Sequence, residues 1–113
     1  MTVSVCTGDV TMKVGDQRFG TIDFTRALTG GALLTGTPGI TIAPSTGAPV
    51  LSLKTLNSVP LVNSAGKTIA IDCSTQVFID CSSATAGSYT LTISVSTTTS
   101  EFIIRTANLT IEA

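Results

Sequence analysis

The chain has no histidine and no tryptophan, one tyrosine, and only 12% charged residues. Each scarcity closes off a class of function. Without histidine the commonest general base and the commonest neutral metal ligand are missing. Without tryptophan, so is the aromatic platform typical of sugar-binding clefts. Six basic and seven acidic side chains leave a net charge of −1, which gives no electrostatic footprint for nucleic acid or an anionic membrane. No run approaches the roughly 18 consecutive apolar residues of a membrane span. The opening Met1-Thr2-Val3-Ser4-Val5-Cys6-Thr7-Gly8-Asp9 shows no basic n-region, apolar segment or small-residue cleavage site of a secretory signal, so a cytosolic start is expected. Cys6, Cys73 and Cys81 are odd in number, which argues against a closed disulfide framework. All three are expected reduced, as small buried apolar residues.

Hydroxyls supply the polarity that charge does not. The 113 residues include 21 threonines and 12 serines, which favour strands and turns over helices because threonine is β-branched and serine competes for backbone hydrogen bonds. One domain with a single core, 42% of the chain being hydrophobic, needs no disulfide or metal. A nearly neutral Thr/Ser surface also associates more readily than a charged one, which suits a protein destined for an assembly.

The clearest pattern is Gly87-Ser88-Tyr89-Thr90-Leu91-Thr92-Ile93-Ser94-Val95-Ser96-Thr97. Its period of two puts Tyr89, Leu91, Ile93 and Val95 on one face and Thr90, Thr92, Ser94 and Ser96 on the other, a half-buried antiparallel strand. Residues 2–6 and 10–14 alternate around a Thr7-Gly8-Asp9 turn, predicting an N-terminal hairpin or arm over 1–15 and a sandwich over 16–113. Ile22 and Phe24 flank Asp23, and an irregular turn follows, ended by Gly30-Gly31. Residues 40–42 form the ordered part of an extended stretch. Residues 50–56 are expected to place Leu51 and Leu53 on one face, and residues 68–73 to place Ile69, Ile71 and Cys73 inward. Val77, Ile79 and Cys81 face one side and Phe78 with Asp80 the other. A last strand carries Ala107, Leu109 and Ile111 inward after an irregularity near Ile103 and Ile104. Seven to eight short strands separated by turns predict an all-β fold, a β-sandwich without a helix of ordinary length.

Candidate chemistry is sparse. Cys73 and Cys81, on strands expected to be neighbours, lack the short spacing and four ligands of a zinc site. Asp72 and Asp80 read as solvated outer-face carboxylates rather than an acid/base or calcium pair. No metal or cofactor is expected, and enzyme readings lose most of their support. Tyr89 is placed to act as a tyrosine-corner anchor, its ring in the core and its hydroxyl on nearby backbone. Phe78, Phe102, Ile104 and the arm valines Val3 and Val5 do not all fit on one inward face. They either close the sandwich rim or meet a partner.

The stretch Val77-Phe78-Ile79-Asp80-Cys81-Ser82-Ser83-Ala84-Thr85-Ala86-Gly87-Ser88-Tyr89-Thr90-Leu91-Thr92-Ile93, with Ala107-Asn108-Leu109-Thr110-Ile111 as its returning strand, resembles small immunoglobulin-like structural proteins of tailed bacteriophages. Asp23-Phe24-Thr25-Arg26-Ala27-Leu28-Thr29-Gly30-Gly31 looks like the opening of the fibre-tail adaptor-like family. The resemblance implies an immunoglobulin-like sandwich and a non-enzymatic virion protein made in the host cytoplasm. Its expected role is capsid decoration or cement, with the major capsid protein or tail proteins as partners and self-association open. A tail or fibre-tail adaptor is the first alternative, and a carbohydrate-binding or adhesin module one of another class. The contact residues expected are Val3, Val5, Phe78, Phe102 and Ile104, the arm strand over 2–6 pairing with a neighbour by β-augmentation.

Overall fold

The structure, a computed structural model, describes residues 9–62 and 65–113. The strands are β1 (Asp9–Lys13), β2 (Gln17–Asp23), β3 (Leu34–Ala43), β4 (Val50–Leu56), β5 (Leu61–Val62), β6 (Thr68–Ile69), β7 (Ser74–Asp80), β8 (Gly87–Thr97) and β9 (Phe102–Glu112), with a single 3-10 turn at Thr25–Ala27. Seven of them make the sandwich. One sheet has the order β1-β9-β8-β3, the other β2-β7-β4, and β5-β6 is a small separate ladder. The chain switches sheets between β1 and β2, β2 and β3, and β3 and β4, and returns after β7. With β1 parallel to β9, this is an immunoglobulin-like β-sandwich.

The alternating run becomes β8. Leu91, Ile93 and Val95 are buried, and Ile93 lies opposite Ile40 of β3 and Arg105 of β9. From the facing sheet Val77 and Ile79 complete the core, with Met12 entering from β1 and Phe24 from the end of β2. Apolar side chains thus meet between two pleated layers, and the outer face of β8 is left to the hydroxyls of Thr90, Thr92, Ser94 and Ser96.

Three strand readings are corrected. In β4 the register with β7 shifts by one residue between Ser52 and Thr55. This bulge turns Leu53 outward at positive φ, 66% exposed, so that Leu51 and Leu56 pack on the core instead. Residues 70–73 form a turn rather than a strand: the Cys73 amide donates to the Ala70 carbonyl, Asp72 has φ +59, and Ile71 is exposed. No irregularity interrupts β9, whose pairing with β8 runs unbroken from Phe102 to Ile111. Exposure of Ile104 follows from plain alternation.

Leu61 and Ile69, paired across the β5-β6 ladder, form a second small cluster with Cys73. It is pinned by Asn57, fully buried, whose Nδ2 donates to the Val59 and Ala70 carbonyls and whose Oδ1 accepts from the amides of Cys73 and Ser74. In β3, a Cβ on Gly39 would meet Ser94 Oγ at 2.7 Å, so a side chain there would have to turn the Ser94 hydroxyl aside.

Candidate functional site

Alternation decides which side chains face outward. On the three-stranded sheet Phe19 of β2 lies directly opposite Phe78 of β7. Their rings meet edge to face with centroids 5.1 Å apart, a geometry worth about 0.5–1.5 kcal/mol. Phe19 remains 48% exposed and Phe78 half-buried. On the same face Ser52 is opposite Phe78 and exposed Val50 is opposite Asp80. Asp80 Oδ1 accepts hydrogen bonds from the Ser82 hydroxyl and amide and from Gln17 Nε2, and the Ser82 bonds hold its carboxyl below the usual carboxylate range.

The opposite outer face belongs to β9 and β8. Phe102 pairs with Ser96 and Ile104 with Ser94, leaving the two apolar side chains 64% and 53% exposed beside a field of hydroxyls. Thr41, Thr92 and Thr106 form one row across β3, β8 and β9 in that field.

Of the residues expected from sequence, Phe78 therefore sits on one outer face and Phe102 with Ile104 on the other, and the structure does not bring the three together. Val3, Val5 and the arm strand over 2–6 lie outside the described residues. Phe19 escaped the sequence reading because its same-face neighbours Gln17 and Thr21 are polar and Ile22 lies on the other face, so no period-two apolar pattern marks it. Cys73 and Cys81 lie immediately before and after β7, not on neighbouring strands. Eight residues of extended chain separate them by about 26 Å, too far to share a metal, and Asp72 and Asp80 are set apart likewise. Burial pushes both thiols up, helped by Asp23 and Asp72 at Cys73 and by Asp16 and Asp80 at Cys81. No group of three metal-ligating side chains exists among the described residues.

A cleft of about 680 Å³ opens where the end of β2 and the 3-10 turn approach residues 67–68 and the middle of β9. Arg26, Lys67 and Arg105 line it together with Asp23. Since these cations come from three distant parts of the chain, nothing local in the sequence announces them.

No family model and no curated protein matches the chain. Among solved structures, it is similar to amebosin, in solution, at 7% identity and a TM-score of 0.40 over 98% of this chain and 96% of that one. It is also similar to a family 123 glycoside hydrolase from Clostridium perfringens, at 12% identity and a TM-score of 0.42 over 97% of this chain and 22% of that one. This chain thus spans less than a quarter of the hydrolase with which it aligns.

Proposed function

We propose that the protein is a non-enzymatic bacteriophage virion component, a capsid decoration or cement protein that binds across neighbouring shell subunits. The observation that carries the reading is the pair of apolar patches on opposite outer faces of one sandwich: Phe19, Phe78 and Val50 on the three-stranded sheet, Phe102 and Ile104 on the four-stranded sheet. A rigid module with an adhesive patch on each side is suited to bridging two neighbours, and its hydroxyl surface costs less to desolvate than a charged one. The resemblance of residues 77–93 and 107–111 to phage immunoglobulin-like proteins points the same way. Each copy binds the assembled site in preference to the free subunit, so many weak contacts stabilise the lattice by mass action.

Imaging of intact particles tests this. A decoration protein appears at high copy number over the shell, whereas a few copies at the vertex or tail would assign it to a tail or fibre-tail adaptor. Absence from the particle would overturn the virion reading. Replacing Phe102 and Ile104 by serine is expected to lower occupancy without unfolding the domain, since both side chains are already exposed.

A further inference from the structure

The cleft at the end of β2 is a different kind of surface from the two apolar patches. Three of the chain's six cations, Arg26, Lys67 and Arg105, line it with one carboxylate, while the rest of the chain carries three cations and six carboxylates. An acidic protein has therefore gathered half its positive charge around one concavity.

That carboxylate is engaged locally. Asp23 Oδ1 accepts from the amide and the hydroxyl of Thr25 at the start of the 3-10 turn. The Arg26 guanidinium has no hydrogen-bond or ion-pair partner among the described residues. Arg105 donates to the carbonyl of its neighbour Ile104 at 2.9 Å, which leaves its charge uncompensated. Arg18, at the other end of β2, shows the contrast: it pairs with Asp16 at 3.3 Å. Arg105 occupies an inward register position, opposite buried Ile93. Its side chain is nonetheless exposed, so the guanidinium faces the open cleft.

We infer that this cleft binds an acidic peptide segment of a partner protein, its carboxylates held by Arg26, Lys67 and Arg105. Planar guanidinium groups match carboxylates two bonds at a time; Arg26 can supply such a fork, and Arg105, whose Nη1 donates to the Ile104 carbonyl, keeps its Nε and Nη2 side for one. The remaining lining suits a peptide rather than an isolated ion. Ile22 and Ala27 offer apolar contact, Thr25, Thr68 and Thr106 offer hydroxyls, and the volume of about 680 Å³ far exceeds that of one inorganic anion. A nucleic acid is disfavoured because the aromatic residue lining the cleft, Phe24, is 2% exposed and has no face for a base to stack on. The inference stands whether or not the protein belongs to a virion.

The test is an amide-shift titration of the full chain with a ten-residue peptide alternating glutamate and leucine. Parallel titrations use the glutamine-for-glutamate version, inorganic phosphate and a thymidine decanucleotide. The glutamate peptide is expected to shift amides of residues 22–27, 67–68 and 105–106, and to bind about tenfold more weakly in 0.5 M salt. Arg26→Gln combined with Arg105→Gln is expected to weaken binding at least about tenfold while leaving the unfolding midpoint unchanged, both side chains being exposed. Lack of saturation by the peptide, equal binding of its glutamine version, or wild-type affinity in the double variant would overturn the proposal. Tighter binding of phosphate or the oligonucleotide at the same amides would overturn the assignment to peptide.

Discussion

Tyr89 holds Gly47 across forty-two positions of chain: its hydroxyl donates to the Gly47 carbonyl at 2.9 Å and shares its proton with the Thr85 carbonyl at 2.7 Å. The ring is buried in the core, so one side chain fills the interior and ties two loops at one end of the sandwich. Tyr89→Phe keeps the ring and strips the donor from two carbonyls. A loss of about 1–2 kcal/mol is expected, read from the urea midpoint. Gly47→Ala attacks the same junction from the other side, because Gly47 has φ +73 and a Cβ would meet Thr85 Oγ1 at 2.8 Å.

Asn57 offers a sharper contrast between volume and chemistry. Its amide gives two hydrogen bonds and receives two while fully buried. Asn57→Ala is expected to cost about 3 kcal/mol, since four hydrogen bonds of a buried side chain are lost, even though the Cys73 amide and the Ala70 carbonyl keep each other as partners. Asn57→Asp preserves the volume yet sets a carboxylate oxygen against the Val59 and Ala70 carbonyls, and is expected to destabilise strongly at neutral pH. Denaturant titration of both variants checks the pair.

Thr75 carries the opposite sign. It points into the core between Ile22 and Leu56, and its Oγ1 is buried without a hydrogen-bond partner among the described residues. Thr75→Val removes an unsatisfied hydroxyl at nearly constant shape and is expected to stabilise the domain by about 1 kcal/mol. A lower urea midpoint would show that the hydroxyl is bonded after all.

Stability is expected to fall at both ends of the pH range. The folded Asp80 carboxyl titrates below its unfolded value of about 3.9, so its contribution is complete above that value and is lost as pH drops through the depressed folded value. Asp80→Asn should flatten this acid limb. The thiols of Cys73 and Cys81 behave inversely, because burial raises their folded values. Above the unfolded value of about 8.5 the unfolded chain ionises first, and stability declines as pH rises. Iodoacetamide at pH 7.5 is expected to leave both thiols unmodified in the native protein and to label them in urea, as peptide mass mapping would show.

Period-two alternation revealed β8, the inward set Ala107, Leu109 and Ile111, and the tyrosine anchor, because burial on one face of a sheet writes itself directly into the order of residues. The same signal failed at β4, where Leu53 continues the apolar alternation but an extra residue between Ser52 and Thr55 reverses the facing. An alternating pattern cannot show where a bulge enters. It failed again at Ile71, whose apolar character suggested a strand although the backbone turns at Asp72. The outer-face apolar residues were legible as surplus to the core, but their division between two faces depends on sheet membership. Convergence of Arg26, Lys67 and Arg105 is still less visible, being created entirely by topology.

The parallel pairing of β1 with β9 also sets how the domain bears a load. Five consecutive residues, Asp9 to Lys13, run alongside Asn108 to Glu112 in the same direction. Tension drawn between the leading end of β1 and the trailing end of β9 slides the two strands along each other, so the bonds of that ladder resist together and must rupture together. Antiparallel pairing pulled in this way would open one bond at a time, like a zip. The first and last strands therefore close the sandwich with a clamp that works in shear.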